Sequence, residues 1–224
     1  QALYSHRHMT LSVHITTLRS AQRTLLRDLH FDVPAGAILT LMGPSGSGKS
    51  SVLGAIAGTL GHVAEGAQAL RFEGQIRLND ADLTHTPTAQ RGIGLLFQDP
   101  LLFAHMTVAE NLQFAVPPGP RAQRWAQVQQ ALADAGLDGY GERDPATLSG
   151  GQRARAALMR ALLAQPQALL LDEPFAQLDA ALRGQFRAFV FDHLRARGIP
   201  AVLVTHDAAD IADPTLVVEL PHAG

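Results

Sequence analysis

The segment GPSGSGKS, at residues 43–50, constrains the fold more than any other part of this sequence. It fits the pattern G-x-x-x-x-G-K-[ST] at every fixed position. The apolar run AILTLM (37–42) precedes it, and KSSVLGAIA (49–57) follows it with a helical composition. In a strand–turn–helix unit of this kind, backbone N–H groups and a helix N-terminus converge on one point. The segment therefore predicts an α/β fold with a buried strand and a phosphate site.

The chemistry of this phosphate loop (residues 43–50) follows from its residue types. Glycines let consecutive N–H groups point inward at phosphate oxygens. Lys49 can reach the β and γ phosphates of a nucleotide, and the Ser50 hydroxyl can bind Mg²⁺. A glycine-rich turn that binds nothing is the alternative, and the matching flanks disfavour it. The residues predicted to hold the nucleotide here are Gly43, Pro44, Ser45, Gly46, Ser47, Gly48, Lys49, Ser50 and Ser51.

Two adjacent carboxylates end the apolar run ALLLDE (168–173). Asp172 is the candidate for holding Mg²⁺, directly or through water. Glu173 is placed to orient and deprotonate an attacking water. Carboxylates at a strand end also cap helices or pair with arginine, and that alternative weakens only because a phosphate loop is present.

A second glycine-containing segment, LSGGQ (148–152), stands at the head of a helix-like stretch. Ser149 as N-cap and Gln152 three residues later complete a capping box, which by itself explains both residues. Two adjacent glycines cost about 0.5–1 kcal/mol each in a helix interior. They are useful where something approaches the backbone closely, and a helix N-terminus with free N–H groups binds anions. The residues alone leave both interpretations open.

The remaining pattern predicts an α/β sheet domain interrupted by a helical insert. LSVHI (11–15) and LHFDV (29–33) alternate as half-buried strands do, and GQIRLND (74–80) suggests an edge hairpin. From about residue 107 to 164 the spacing is helical, starting with a capping box at Thr107 and Glu110. Further strands are predicted at GIGLLF (92–97), ALLLD (168–172) and IPAVLVT (199–205), with a helix over 180–197.

Composition excludes several functions. The net charge of -2 gives no field for nucleic acid, so nucleic acid is not an expected partner. The chain has no cysteine, which excludes disulfides and thiolate metal sites. It has no apolar run of about eighteen residues, the minimum for a membrane-spanning helix. We expect residues 1–8 to be a cloning scar ahead of a native start at Met9.

These motifs together resemble the ATP-binding subunits of ABC transporters. The resemblance rests on the phosphate loop, FQD (97–99), LSGGQ, LLLDEP (169–174), AQLD (176–179) and VTHD (204–207), and it covers residues 10–220. It implies a P-loop NTPase core with a mixed, mostly parallel sheet, an antiparallel β subdomain and an inserted α-helical subdomain. We expect residues 9–224 to form one such ATPase domain, with the helical subdomain at about 99–165.

The resemblance also assigns roles to single residues. Two such subunits pack head to tail, so that Ser149, Gly150, Gly151 and Gln152 complete the partner's ATP site. Gln98 contacts Mg²⁺ or the attacking water, and His206 contacts the γ-phosphate, although an isolated histidine is more often structural. Asp179 links the site to the opposite subunit and also suits the N-cap of the helix over 180–197.

The sequence departs from the family pattern in three places. The stretch TLRSAQRT (17–24) lacks the aromatic residue that usually stacks on adenine, so Leu18 or Arg19 is the candidate to cover the base. Ala176 replaces a usual serine. The chain ends soon after LVVEL (216–220), which leaves no room for the C-terminal regulatory domain of many importer subunits.

The resemblance implies an ATPase that uses ATP and Mg²⁺ to power solute import through separate permease subunits. The motif DEPF (172–175) favours importers that use a solute-binding protein, periplasmic or extracellular. The expected location is the cytoplasmic face of the inner membrane. Leu101, Leu102 and Phe103 either line the permease-binding groove or belong to a local core. Export, lipid or lipoprotein extraction and a non-transport ABC ATPase are the alternatives.

Overall fold

A computed structural model describes residues 9–20, 22–60 and 70–221. The proposed scar at residues 1–8 lies outside them. The described residues divide into two compact units, one within 1–93, 167–172 and 191–224, and the other comprising 94–166 and 173–190. No helix among the described residues is long and apolar enough to cross a membrane.

An antiparallel four-stranded sheet belongs to the first unit. Its strands are β1 (Thr10–Arg19), β2 (Thr24–Pro34), β4 (Arg71–Leu78) and β5 (Ala81–Asp82), in the order β2-β1-β4-β5. The predicted alternation is confirmed on β1, where Leu11, Val13 and Ile15 are fully buried. The segment over 74–80 does turn into a hairpin, but β4 is an inner strand, and the two-residue β5 forms the sheet edge beyond it.

The second sheet is parallel in the pairings between β3 and β8, β3 and β9, and β7 and β8. Its strand order is β6-β7-β8-β3-β9. The buried strand predicted at AILTLM (37–42) is confirmed, because the first four residues of this strand are buried, and every residue of β8 is buried too. The bounds of these strands are β3 (Ile38–Met42), β6 (Ile93–Leu96), β7 (Ala168–Asp172), β8 (Ala201–Val204) and β9 (Val217–Glu219).

The helix after Thr107 begins where the sequence predicts its cap. Thr107 and Glu110 form the predicted capping box, with Thr107 N donating to Glu110 Oε2 at 2.7 Å and Glu110 N donating to Thr107 Oγ1 at 3.2 Å. Prolines at 117, 118 and 120 separate the second and third helices. The helix bounds are α1 (Lys49–Ala57), α2 (Val108–Ala115), α3 (Arg121–Asp134), α4 (Gly150–Leu163) and α5 (Ala180–Arg197).

A buried arginine closes the C-terminal end of α1. Arg91 Nη1 donates to the carbonyls of Ala55 (2.9 Å) and Ile56 (2.8 Å), and Nε donates to Thr86 O at 2.8 Å. A side chain at Gly58, which has φ 77°, would collide with this guanidinium. Burial lowers the pKa of Arg91, yet the helix-end carbonyls compensate its charge. Arg91 therefore connects the C-terminal end of α1 to the segment that contains Thr86.

Candidate functional site

Three neighbouring parallel strands place the predicted site residues of the first unit at one edge of the sheet. The phosphate loop follows β3, Asp172 ends β7, and His206 follows β8 by two residues. Asp172 of β7 pairs with Val204 of β8, so the carboxyl ends of these two strands lie side by side in the sheet. Ligands of open α/β sheets bind at the carboxyl ends of the strands. The topology thus brings together residues that lie far apart in the sequence.

The phosphate loop leaves the N-terminal end of α1 without a side-chain cap. Gly48 occupies the N-cap position with φ 96°, and the first turn contains no acidic residue. By contrast, serine caps α4 with its hydroxyl. The first N–H groups of α1 therefore have no side-chain acceptor, and an anion is the complementary partner.

Lys49 and Ser47 point to the same ligand. The Lys49 ammonium is buried and donates to the loop carbonyls of Gly43 (2.7 Å) and Pro44 (2.9 Å). The Ser47 hydroxyl is buried and has no hydrogen-bond partner among the described residues. Gly43, with φ 149°, admits no side chain, because a Cβ would come within 2.9 Å of both Leu220 O and Ser47 Oγ. A phosphate group supplies acceptors for this set of donors.

Ser50 and Asp172 form the oxygen pair that suits a hard cation. Ser50 Oγ donates to Asp172 Oδ1 at 3.4 Å, across 122 positions of sequence. The part of the chain that the structure describes contains no cluster of three His, Cys, Asp or Glu residues suited to a metal. Two protein oxygens plus phosphate and water are the ligand set that Mg²⁺ prefers. The donors therefore fit Mg²⁺ bound together with a nucleotide.

Glu173 belongs to the second unit and has an unusual backbone. Its φ of 46° is left-handed, a conformation that non-glycine residues rarely adopt. A turn holds it, with Ala176 N donating to Glu173 O at 3.2 Å and Phe175 buried two residues after it. Strained residues of this kind cluster at functional sites. Gln98, the other predicted catalytic residue of this unit, is exposed.

The segment LSGGQ forms the predicted capping box of α4. Ser149 N donates to Gln152 Oε1 at 2.9 Å, and Gln152 N donates to Ser149 Oγ at 3.3 Å. Neither Gly150 nor Gly151 has a positive φ. A Cβ at Gly150 would meet Leu178 at 3.9 Å, and one at Gly151 would meet Leu182 at 3.5 Å, both ordinary contacts. The described chain therefore does not itself require either glycine.

Asp179 is confirmed as the N-cap of α5. Its Oδ1 accepts hydrogen bonds from Ala181 N (3.1 Å) and Leu182 N (3.0 Å). Leu178 and Leu182 stand on either side of Asp179. They are the side chains that a Cβ at Gly150 and at Gly151 would contact, so both lie beside the N-terminal end of α4. Asp179 thus lies close to the LSGGQ segment within the second unit.

The hairpin tip offers a different candidate surface for a base than the sequence suggested. Leu18 is fully buried, which leaves it no exposed surface. The Arg19 guanidinium pairs with Glu73 at 3.0 Å. Leu25 is partly exposed, and its Cβ lies 3.8 Å from the point where a Cβ at Gly48 would stand. Leu25 is therefore the partly exposed apolar side chain next to the phosphate loop.

An apolar groove in the second unit is lined by one residue of the segment over 101–103. Phe103 lines it and packs edge-on against Phe114, with ring centroids 5.1 Å apart. Phe114 is 65% exposed and Leu101 is 51% exposed. Leu101, with φ 46°, is also strained. Phe103 therefore lines a groove and Leu101 is a surface residue, so neither belongs to a closed local core.

Sequence reasoning missed the residue that shapes this groove. Asn111 is fully buried, and its amide donates to the carbonyls of Phe103 (3.1 Å) and Met106 (3.2 Å) while its Oδ1 accepts from Phe103 N at 2.8 Å. Arg160 donates to the same Oδ1 at 3.3 Å and lies over the Phe103 ring, and burial lowers its pKa. A lone asparagine in a helix gives no sequence signal for such a network.

Comparison with known proteins agrees with this geometry. Residues 26–176 match the family described as ABC transporter. The uncharacterized ABC transporter ATP-binding protein YnjD of Escherichia coli (strain K12) is 48% identical over 211 residues, which cover 94% of each chain. The sulfate/thiosulfate import ATP-binding protein CysA of Synechocystis sp. is 40% identical over 215 residues, or 94% of this chain and 58% of that protein. The CysA protein of Nocardia farcinica is 41% identical over 198 residues, or 86% of this chain and 57% of that protein.

Proposed function

Since this chain belongs to the ABC transporter family, as an ATP-binding subunit that hydrolyses ATP, we propose that it powers solute import through separate membrane permease subunits. The observation that carries the import direction is the similarity, at 40% identity over 94% of this chain, to a protein named as a sulfate/thiosulfate import subunit. The chain spans little more than half the length of the CysA relatives. We therefore do not transfer the solute of the CysA proteins to this chain. In the proposal, the permease selects the solute.

The phosphate loop holds the ATP phosphates in this proposal. Its N–H groups and the Lys49 ammonium stabilise the charge that develops on the γ-phosphate. Mg²⁺, bound by Ser50 and Asp172, would neutralise charge on the β and γ oxygens, and the role that the resemblance assigns to Gln98 is a contact with Mg²⁺ or the attacking water. The buried Ser47 hydroxyl, which has no hydrogen-bond partner in the described part of the chain, supports a phosphate ligand at this loop.

Glu173 acts as the general base. It accepts a proton from the attacking water, and His206 holds the γ-phosphate in position, so that no covalent intermediate forms. The left-handed backbone of Glu173 supports this assignment, because strain at a strand end is kept where it serves a site.

A second copy of the chain completes the ATP site. Ser149, Gly150, Gly151 and Gln152 bind the γ-phosphate held by the partner's phosphate loop, and Asp179 lies at the same interface. The support is that the chain's own packing has ordinary room for a Cβ at Gly150 and Gly151. A ligand that approaches the backbone closely explains why glycine stands there.

The groove beside Phe103 and Phe114 receives a helix of the permease. Its lining is mainly apolar, with a cavity volume of ≈ 380 Å³. The exposed, strained Leu101 next to it supports docking, since exposed apolar side chains gathered in one patch mark interaction sites. This attachment places the chain at the cytoplasmic face of the inner membrane, with a solute-binding protein on the opposite side.

Reconstitution tests import against its alternatives. The chain is combined with candidate permease subunits in inside-out and right-side-out vesicles, and sulfate is the first solute tried. ATP-dependent accumulation on the side where this chain resides supports import. Transport in the opposite direction identifies an exporter or extraction system. ATP hydrolysis with no permease that co-purifies indicates a non-transport ATPase.

A further inference from the structure

Two buried side chains lie on either side of His206 in the first unit. Thr205 is 2% exposed and Asp210 is 1% exposed, whereas His206 between them is exposed. Thr205 Oγ1 donates to Asp210 Oδ2 at 2.8 Å and accepts from Asp207 N at 3.1 Å. A single hydroxyl thus joins the residues before and after the histidine to a buried carboxylate.

The rest of the loop is also closed by its own hydrogen bonds. Asp210 N donates to Asp207 O at 3.0 Å, and Ala209 N donates to Asp207 Oδ1 at 2.8 Å. Thr205 N donates to Leu41 O at 3.4 Å, which attaches the loop to β3. The backbone on both sides of His206 therefore has few alternative conformations.

A second threonine–aspartate pair shows that this kind of hydrogen bond also forms in a turn at the surface, where neither side chain has to be buried. Thr215 Oγ1 donates to Asp213 Oδ1 at 2.7 Å, but this bond is exposed to solvent. Burying a carboxylate costs free energy that hydrogen bonds must offset. The buried Thr205–Asp210 pair flanks a predicted catalytic residue, and the turn over residues 213–215 has no such neighbour in the sequence.

We propose that Thr205 and Asp210 are positioning residues that hold the His206 side chain in the orientation needed to contact the γ-phosphate. This inference rests on the function proposed for His206. Because the pair is buried, it acts through the conformation of the loop over residues 205–210. Small displacements of a group that contacts the reacting phosphate reduce turnover strongly.

The test uses the full chain labelled with ¹³C-histidine, in which the His206 Cε1–H cross-peak is assigned by its loss in His206→Ala. Thr205→Val removes the hydroxyl at nearly constant volume, and Thr215→Val is the matched control. We expect Thr205→Val to shift or broaden the His206 cross-peak and Thr215→Val to leave it unchanged. An unchanged cross-peak in Thr205→Val would overturn the proposal. Asp210→Ala replaces Thr205→Val if that variant does not fold.

ATP turnover separates positioning from general stability. Thr205→Val should lower kcat by about tenfold or more, with KM for ATP changed by less than about twofold because the phosphate loop is intact. Thr205→Ser should restore kcat, and Thr205→Val should cause no further loss in the His206→Ala background. An equal further loss there would contradict the proposal. Normal turnover by His206→Ala would instead refute the role of His206, while the cross-peak still decides whether the pair orders the ring.

Discussion

At the scale of single residues, backbone strain and chemistry coincide in this chain. Glu173 and Leu101 both have φ 46°, and both lie in segments to which we assign functions. Each left-handed non-glycine residue costs about 1–3 kcal/mol, which the surrounding fold must offset. Asp28, Asn79 and Gln165 also have positive φ, but aspartate, asparagine and turn residues adopt it more readily. A left-handed backbone therefore indicates a functional residue here only where the residue type does not itself favour that conformation.

The role of Glu173 gives the most direct prediction at this scale. Glu173→Gln keeps the size of the side chain but cannot accept the proton of the attacking water. We expect normal ATP binding and a kcat lowered by about 10²–10⁴-fold. Binding of a fluorescent ATP analogue and phosphate release in a single turnover measure the two quantities. Glu142→Gln, an exposed change, is the control, and rapid turnover by Glu173→Gln would refute the assignment.

At the scale of elements, the ends of the helices decide which of them can bind a ligand. α2 and α4 carry complete capping boxes, whereas α1 begins at a glycine with no side-chain cap. A cap satisfies only one or two of the four N–H groups at a helix start, so α4 keeps donors for the phosphate that we propose it binds, and the uncapped start of α1 offers more of them. At the opposite end of α1, Arg91 donates buried hydrogen bonds to the carbonyls of Ala55 and Ile56.

The two capping boxes provide a matched pair of variants. Thr107→Ala and Ser149→Ala each remove one cap and should each lower the free energy of unfolding by about 1 kcal/mol. Only Ser149→Ala should also lower ATP turnover, because only Ser149 is proposed to contact a phosphate. Urea denaturation and steady-state ATPase assays measure the two effects. Equal ATPase activity of the two variants would mean that Ser149 serves only as a cap.

Arg91 makes a prediction about stability alone. Arg91→Met removes four hydrogen bonds to backbone carbonyls, two of which are buried bonds to the end of α1. The free energy of unfolding should fall by about 2–4 kcal/mol. Arg77→Met is the control, since Arg77 makes one long, exposed bond of 3.4 Å to Asp80 O. A similar urea midpoint for both variants would show that the buried arginine is replaceable.

At the scale of the whole molecule, the chain contains two segments for which we propose phosphate binding, although one nucleotide needs only one of them. The phosphate loop holds ATP, and LSGGQ is proposed to close on the nucleotide of another copy. This arrangement makes assembly depend on ligand. In the proposed dimer each nucleotide contacts both copies, so we expect ATP to stabilise the dimer and hydrolysis to remove that link.

Light scattering on Glu173→Gln, with and without ATP and Mg²⁺, measures this dependence. The mass should double only when both are present. Ser149→Arg in the same background should prevent the doubling by filling the phosphate side of the interface, and so should Lys49→Ala by weakening ATP binding. A protein that binds ATP and stays monomeric would show that the membrane subunits are needed for dimerisation, or that Ala176 weakens the contact.

The local features of this protein were determined by its sequence. Strand alternation, helix caps and the phosphate loop depend on neighbouring residues, so LSVHI, Thr107 with Glu110, and residues 43–50 predicted them correctly. The family resemblance likewise rests on contiguous motifs. These short-range patterns contain enough information for the fold class and for the candidate residues.

Only the tertiary structure decided which distant residues meet. The pairing of Ser50 with Asp172, the burial of Leu18, and the buried Thr205–Asp210 bond all depend on strand order and on packing. So does the network around Asn111, which no helical pattern reveals. A side chain's partners are set by the three-dimensional packing of strands and helices, and the residues next to it in sequence do not encode that packing.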